Sequence, residues 1–147
     1  MTPGLLYVTR KFTFSAAHRY WRDEWSAEEN ARVFGPLTVT HGHNYVLDVT
    51  LRGSVDPLTG MVVDLGELKR VVGGTILARF DHADLSADPL FARRQIPTTE
   101  NLVRAIWDLL VPTLGGERLH GLRLWEDPTF HVESPARERA PAHPLVP

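Results

Sequence analysis

The chain has 147 residues, the size of one domain. It is 43% hydrophobic and 23% charged, with a formal net charge of −2, which supplies a core and argues against a nucleic-acid-binding surface. Cysteine is absent, so disulfides, thiolate ligands and cysteine nucleophiles are excluded, and any metal site must use His, Asp or Glu. No apolar run approaches the roughly 20 residues of a membrane helix. The opening MTPGLLYVTRKF lacks the apolar stretch of a signal peptide. The expectation is a cytoplasmic protein that binds neither membrane nor nucleic acid.

Residues 5–17, LLYVTRKFTFSAA, are β-branched and aromatic. Alternation puts Phe12, Phe14, Ala16 and His18 on one face, which predicts a strand ending near His18. Residues 20–38 are polar and aperiodic, with Gly35 and Pro36 as a breaker, and read as a long connection of the kind that carries function. Residues 42–55 alternate again, with His43, Tyr45, Leu47, Val49 and Leu51 on one face. Asp64 and Glu67 have capping-box spacing, and a helix follows through Leu65, Leu68, Val71, Val72, Ile76 and Leu77. Gly73 and Gly74 weaken that helix and predict a bend or interruption.

Residues 81–97 look like a loop. A second helix opens at PTTENL, capped by Thr98 or Thr99, and is expected to end at Pro112 and Gly115–Gly116. Residues 118–126 and 128–133 read as two short strands turning at Asp127 and Pro128. Residues 1–133 make one domain, and the proline-rich residues 134–147 are expected to be a disordered tail. The order β-β-α-α-β-β predicts an α+β fold: a four-stranded antiparallel sheet with two helices on one face. The bare face and edges of such a sheet call for partners.

The stretch THGHNY holds His41 and His43 two apart. On a strand both point to one side, with Cα atoms roughly 6.5–7 Å apart. Pairing of the first two strands would bring His18 beside them. Three neutral imidazoles with a free fourth position is the pattern of a catalytic zinc site, although surface or core histidines also fit the spacing. Asp81 and His82 are adjacent and could form an oriented acid–base pair. Glu126 closes a predicted strand, and Glu100 has a structural reason in the dipole of the helix it opens.

Several separated segments together resemble one family. FSAAH (14–18), EEN (28–30), HGHNY (41–45), TGMVVDLGELK (59–69), FDHADL (80–85), PTTENL (97–102) and LWE (124–126) occur in the order seen in the 6-pyruvoyl-tetrahydropterin synthases and the related 6-carboxytetrahydropterin synthases of the queuosine pathway. The resemblance spans roughly residues 5–133. It implies the tunnelling fold, with subunits forming a trimeric barrel and two trimers a homohexamer, and active sites between subunits. It implies zinc (Zn2+) held by His18, His41 and His43. Glu126 would be the pterin anchor, assisted by Thr98, Thr99 and Glu100, because a carboxylate can accept two parallel N–H bonds from a 2-amino-4-oxopyrimidine. Asp81 and His82 would be the acid–base pair. The implied substrate is 7,8-dihydroneopterin triphosphate or a related dihydropterin, in folate-, biopterin- or queuosine-type biosynthesis.

The sequence departs from that family at one place. Members of both classes have a catalytic cysteine in an F-G-x-C motif before HGH. Here the motif is Phe34-Gly35-Pro36-Leu37, with Leu37 in place of the thiol and a loop two residues shorter. Three readings follow. The first is a zinc-dependent lyase of this family, with Glu24 as a candidate replacement base. Some relatives without the cysteine cleave a C–C bond in the substrate's side chain to give 6-hydroxymethyl-dihydropterin. The second is a zinc hydrolase of a purine or pterin ring. The third is a non-catalytic pterin-binding protein.

Overall fold

The computed structural model describes residues 4–91 and 95–135. Strand β1 (Leu6–His18) runs antiparallel to β2 (His41–Gly53) over their full length, with Leu6 opposite Gly53 and His18 opposite His41. Between them lie helix α1 (Ala27–Phe34) and a 3-10 turn (Gly35–Thr38). After β2, helix α2 (Leu65–Val72) passes into a π-helical turn (Gly73–Leu77) and a last turn, α3 (Ala78–Phe80). A two-residue strand β3 (Ala83–Asp84), helix α4 (Thr99–Leu114), and strands β4 (Leu119–Asp127) and β5 (Phe130–Pro135) complete the fold.

The α+β architecture is as expected, but the sheet is not the four-stranded antiparallel one that periodicity predicts. It has five strands in the order β3-β1-β2-β4-β5, and β3 runs parallel to β1, with Ala83 opposite Ala16. Two residues carry no period, so this edge strand has no signature in sequence. The rest of the order follows from alternation. Phe12, Phe14, Ala16, Tyr45, Leu47, Val49, Leu51, Leu122 and Leu124 are buried on one face. Against them pack Leu68, Val72, Ile76 and Phe80 from the broken α2–α3 helix and Leu102, Ile106, Leu110 and Leu114 from α4. The other face is polar: Lys11 pairs with Asp48 at 2.8 Å, Arg123 with Glu133, and Thr9 shares a hydrogen bond with Thr50.

The local signals set the helix starts. Asp64 Oδ1 accepts from the N–H of Gly66 at 2.8 Å, and Thr98, rather than Thr99, caps α4 through the N–H of Asn101 at 3.1 Å. Gly73 and Gly74 do interrupt α2, as a π turn instead of a break. Pro112 does not end α4. The helix continues to Leu114 and stops at Gly115, whose φ of +84° suits glycine. Pro112 and Asp108 both face solvent, so the carbonyl that the proline leaves unpaired can meet water.

Residues 20–38 are not a plain connection. Ser26 caps α1 through the N–H of Glu29, and the residue α1 buries is polar. Asn30 is fully buried, accepts from Arg22 N–H at 2.8 Å, and donates to the carbonyls of Arg22 at 2.9 Å and Ser26 at 3.0 Å. A helix held by one asparagine has no apolar stripe to read. The loop expected over 81–97 likewise contains β3 and a 3-10 turn (Leu85–Ala87), with Leu85 and Phe91 buried. Strand β5 extends the domain to Pro135, two residues past the expected boundary; the rest of the expected tail lies outside the described residues.

Leu47 is fully buried where sheet and helices meet. Leu47→Ala is expected to lower unfolding free energy by about 2–5 kcal/mol in denaturant titration. Thr98→Ala should cost about 1 kcal/mol through the lost cap.

Candidate metal and ligand site

The site is built on the end of the β1–β2 ladder. The register sets His18 directly opposite His41, and His43 opposite Ala16, one pleat along. All three imidazoles lie on the core side of the sheet, and their ring centroids are 4.6–5.1 Å apart. One ligand atom from each falls within 4.8 Å of the others. In a tetrahedral zinc site such atoms would be about 3.4 Å apart, given Zn–N near 2.1 Å, so small ring movements would close the gap.

Hydrogen bonds fix which nitrogen is free. His18 Nδ1 donates to the carbonyl of Pro97 at 2.7 Å, and His41 Nδ1 donates to that of Val39 at 2.8 Å. Each bond commits Nδ1 and leaves Nε2 with its lone pair, as a metal-ligating imidazole requires. His18 is fully buried, and burial, outweighing the Pro97 contact, lowers its pKa and favours the neutral ring. The Nε2 atoms of His18 and His43 are both buried without a hydrogen-bond partner. His43 Nε2 lies 3.1 Å from Glu126 Oε1 but is not aligned for a hydrogen bond. Buried nitrogens are rarely left orphaned, and a shared cation would satisfy both at once.

Glu126 reaches this cluster from β4. It is the unpaired residue where the β4–β5 ladder slips between Trp125 and Asp127, a device that re-aims a side chain. Its second oxygen, Oε2, accepts a short hydrogen bond from the hydroxyl of Thr99, itself fully buried. Pro97, Thr98 and Thr99 therefore serve three tasks in succession: orienting His18, capping α4 and gripping Glu126. Glu100 follows at the first turn of α4.

Tyr20 also belongs here, and nothing in the sequence singled it out. Its ring stands edge-on to His18 with centroids 5.3 Å apart. Partial burial, then the charges of Glu126 and Glu100, push its phenol up to about 12. Tyr45, behind His18, is raised as well, chiefly by burial.

Two groups are not gathered with the imidazoles. Glu24 is turned to solvent, where Arg22 holds it through Nε at 3.0 Å and Nη2 at 2.5 Å. Asp81 and His82 sit on the β3 edge of β1. Asp81 Oδ1 accepts from Ser15 N–H at 2.9 Å, and the His82 N–H donates to Ser15 O at 2.6 Å. His82 Nδ1 lies 3.1 Å from Asp81 Oδ1, and its imidazole is 84% exposed. The Ser15 amide first, then His82, hold the Asp81 carboxyl below the usual carboxylate range. His82 has φ of +60°, the only positive value off glycine among the described residues. Such strain clusters at functional sites. A groove lined by Ser15, Ala17, Gly42, His43, Asn44 and His82 runs along this part of the sheet.

The site is thus a small α+β domain's cluster of three convergent imidazoles that could hold a metal ion, with an inward carboxylate beside it. The sequence matches the family described as 6-pyruvoyl tetrahydropterin synthase over residues 7–135. It is 39% identical over 122 residues to 6-pyruvoyl tetrahydrobiopterin synthase of Poecilia reticulata, covering 82% of this chain and 83% of that protein. The Homo sapiens protein of the same name is 38% identical over 121 residues, covering 81% and 83%. The 6-carboxy-5,6,7,8-tetrahydropterin synthase of Rickettsia typhi is 26% identical over 147 residues, covering 88% and 99%. The solved 6-pyruvoyl tetrahydropterin synthase of Caenorhabditis elegans superposes with a TM-score of 0.83 at 33% identity, covering 92% of this chain and 98% of that one. The chain belongs to the 6-pyruvoyl tetrahydropterin synthase family. No helix among the described residues is long and apolar enough to cross a membrane.

Titration with Zn2+ is expected to give one tight site per subunit. His41→Ala should weaken it by at least about 100-fold while the fold persists, read by metal analysis and calorimetry. Undiminished zinc in His41→Ala would show that the ion sits elsewhere.

Proposed function

We propose that the protein is a zinc-dependent lyase acting on 7,8-dihydroneopterin triphosphate or a closely related dihydropterin. The observation that carries this reading is the pair of buried, unpartnered Nε2 atoms of His18 and His43, set against the inward carboxylate of Glu126. A zinc ion held by His18, His41 and His43 would polarise the oxygens of the substrate's side chain. The names of the relatives, all tetrahydropterin synthases, support the substrate class.

Each protein group then has a task. Glu126 accepts the paired N–H groups of the 2-amino-4-oxopyrimidine ring, and Thr99 keeps its carboxylate turned inward. Thr98 and Glu100 form the rim from which α4 meets the ligand. Asp81 and His82 are the proton carriers: the carboxylate orients the imidazole, which takes and returns a proton at its exposed ring. The exposure of His82 at the β3 edge of the sheet suits a homohexamer in which the pair serves a neighbour's site.

The missing thiol favours a reaction that needs less from that loop. Cleavage of a C–C bond in the substrate's side chain, giving a 6-hydroxymethyl-dihydropterin, is such a reaction. A base removes a hydroxyl proton from that side chain, the C–C bond breaks with release of the outer two carbons as an aldehyde, and the carbon left on the ring takes up a proton. Glu24, held by Arg22, would have to leave that ion pair to act as the base.

The zinc-loaded protein should convert dihydroneopterin or its triphosphate to a 6-hydroxymethyl, 6-carboxy or 6-pyruvoyl product, identified by mass spectrometry. A ring-opened product would establish a hydrolase instead, and tight binding without turnover a pterin-binding protein. Glu126→Ala is expected to weaken pterin binding by about 100-fold, the loss of two charge-assisted hydrogen bonds, with zinc content unchanged. Retained affinity would place the pterin anchor elsewhere.

A further inference from the structure

We infer that Asn44 is a further catalytic residue of the reaction proposed above: its side-chain amide donates a hydrogen bond to the ligand oxygen that gives up its proton to His82. The inference rests on the dihydropterin reading and adds a group which that reading does not use.

A proton carrier must come within hydrogen-bond reach of the atom it serves, about 2.6–3.2 Å. The reacting part of the ligand therefore lies against the exposed imidazole of His82. That residue lines the groove of about 520 Å³ along the ends of β1 and β2. Apart from alanines and Gly42, the groove is lined by Ser15, His43, Asn44, His82 and Asp84. Most of these side chains are already committed. The Ser15 hydroxyl donates to Asn44 Oδ1 at 2.7 Å. Asp84 accepts from the N–H of Ser86 at 2.9 Å and, as a carboxylate, has no proton to give. His43 directs its imidazole to the core side of the sheet, beside Glu126.

Asn44 is the exception. Its oxygen is taken by Ser15, which sits directly opposite across the β1–β2 ladder. That bond fixes the plane of the amide and the corner that carries the NH2 group. The NH2 group makes no hydrogen bond among the described residues, and Asn44 is exposed. Ser15 also holds the acid–base pair. Its N–H donates to Asp81 Oδ1 at 2.9 Å, and its carbonyl accepts from the His82 N–H at 2.6 Å. One residue thus fixes both the amide and the backbone of the proton carrier, and both border one groove. Asn44 and His43 alternate to opposite faces of β2, so the ligand they meet in the proposed assembly is bound at a neighbour's imidazoles.

The hydroxyl concerned is on the carbon that leaves as the aldehyde. His82 takes its proton, and negative charge gathers on the oxygen. As the C–C bond breaks, an oxygen electron pair forms the carbonyl and the bonding pair stays with the carbon on the ring. The proton on His82 then passes to that carbon. A fixed amide donor acts most strongly where the charge on oxygen is largest, so it lowers the barrier more than it tightens binding.

The test uses Asn44→Asp and Asn44→Ala in the full-length, zinc-loaded protein with 7,8-dihydroneopterin. Asn44→Asp keeps an oxygen for Ser15 and lacks the NH2 group; Asn44→Ala lacks both. Each should lower kcat about 100-fold with zinc content unchanged. In Asn44→Ala, KM should change by less than about fivefold, and the dissociation constant of the unreactive 6-methyl-7,8-dihydropterin by less than about twofold. Ser15→Ala removes the tie and keeps the donors, and should lower kcat by no more than about fivefold. A loss in Ser15→Ala as large as in Asn44→Ala would show that Asn44 acts only by holding the strands. A shifted pH–rate profile in Asn44→Ala would show that it acts by holding His82. Either would overturn the donor role, as would unchanged kcat, a KM that rises as far as kcat should fall, or lost zinc. Wild-type protein that yields none of the three 6-substituted products would overturn the dihydropterin reading and the role of Asn44 with it. Active wild-type protein with unaffected variants would overturn the role of Asn44 alone.

Discussion

The site depends on the register of β1 against β2. One antiparallel ladder carries His18 on its outgoing strand and His41 and His43 on its returning strand. Because side chains alternate with a period of two, a slip of one residue would turn an entire set of groups to the other face. The register is anchored along the ladder that leads to the histidines. Phe12 opposite Leu47 and Phe14 opposite Tyr45 bury their side chains against both helices, and Thr9–Thr50 and Lys11–Asp48 pair on the polar face. The same burial that stabilises the fold therefore sets the imidazoles side by side.

A second constraint comes from the start of α4. Pro97 offers the carbonyl that fixes the His18 tautomer, Thr98 ends the exposed helix amides, and Thr99 grips Glu126. Helix α4 is tied to the core by Leu102, Val103, Ile106 and Leu110, so these three residues inherit its rigidity. A site held this way loses little entropy when a ligand arrives. The segment between β1 and β2 is built differently. Residues 20–38 are organised by Asn30 and by aromatic contacts among Tyr20, Phe34 and Trp25. Here Tyr20 is set edge-on to His18.

Asp81 and His82 form an oriented pair outside the cluster of three imidazoles. Ser15 holds both residues at the sheet edge, and the left-handed backbone of His82 turns its ring outward.

Much of this was legible in the sequence. Alternation in FTFSAAH and HGHNYVLDVTL marked two strands and put three histidines on one face. Asp64 and Thr98 marked helix starts by local hydrogen bonding that needs no tertiary partner. Those features repeat every two or four residues, or are settled within one turn, so a linear reading reaches them. What only the tertiary structure decided has no period. Strand β3 is too short to show one, and α1 buries an asparagine instead of an apolar stripe. Pro112 survives inside α4 because it faces water. The approach of Glu126 to His43, the grip of Thr99 on Glu126, the exposure of Glu24 and the entry of Tyr20 beside His18 join distant segments or depend on a solvent boundary. Packing creates both, and neither exists until the helices close over the sheet.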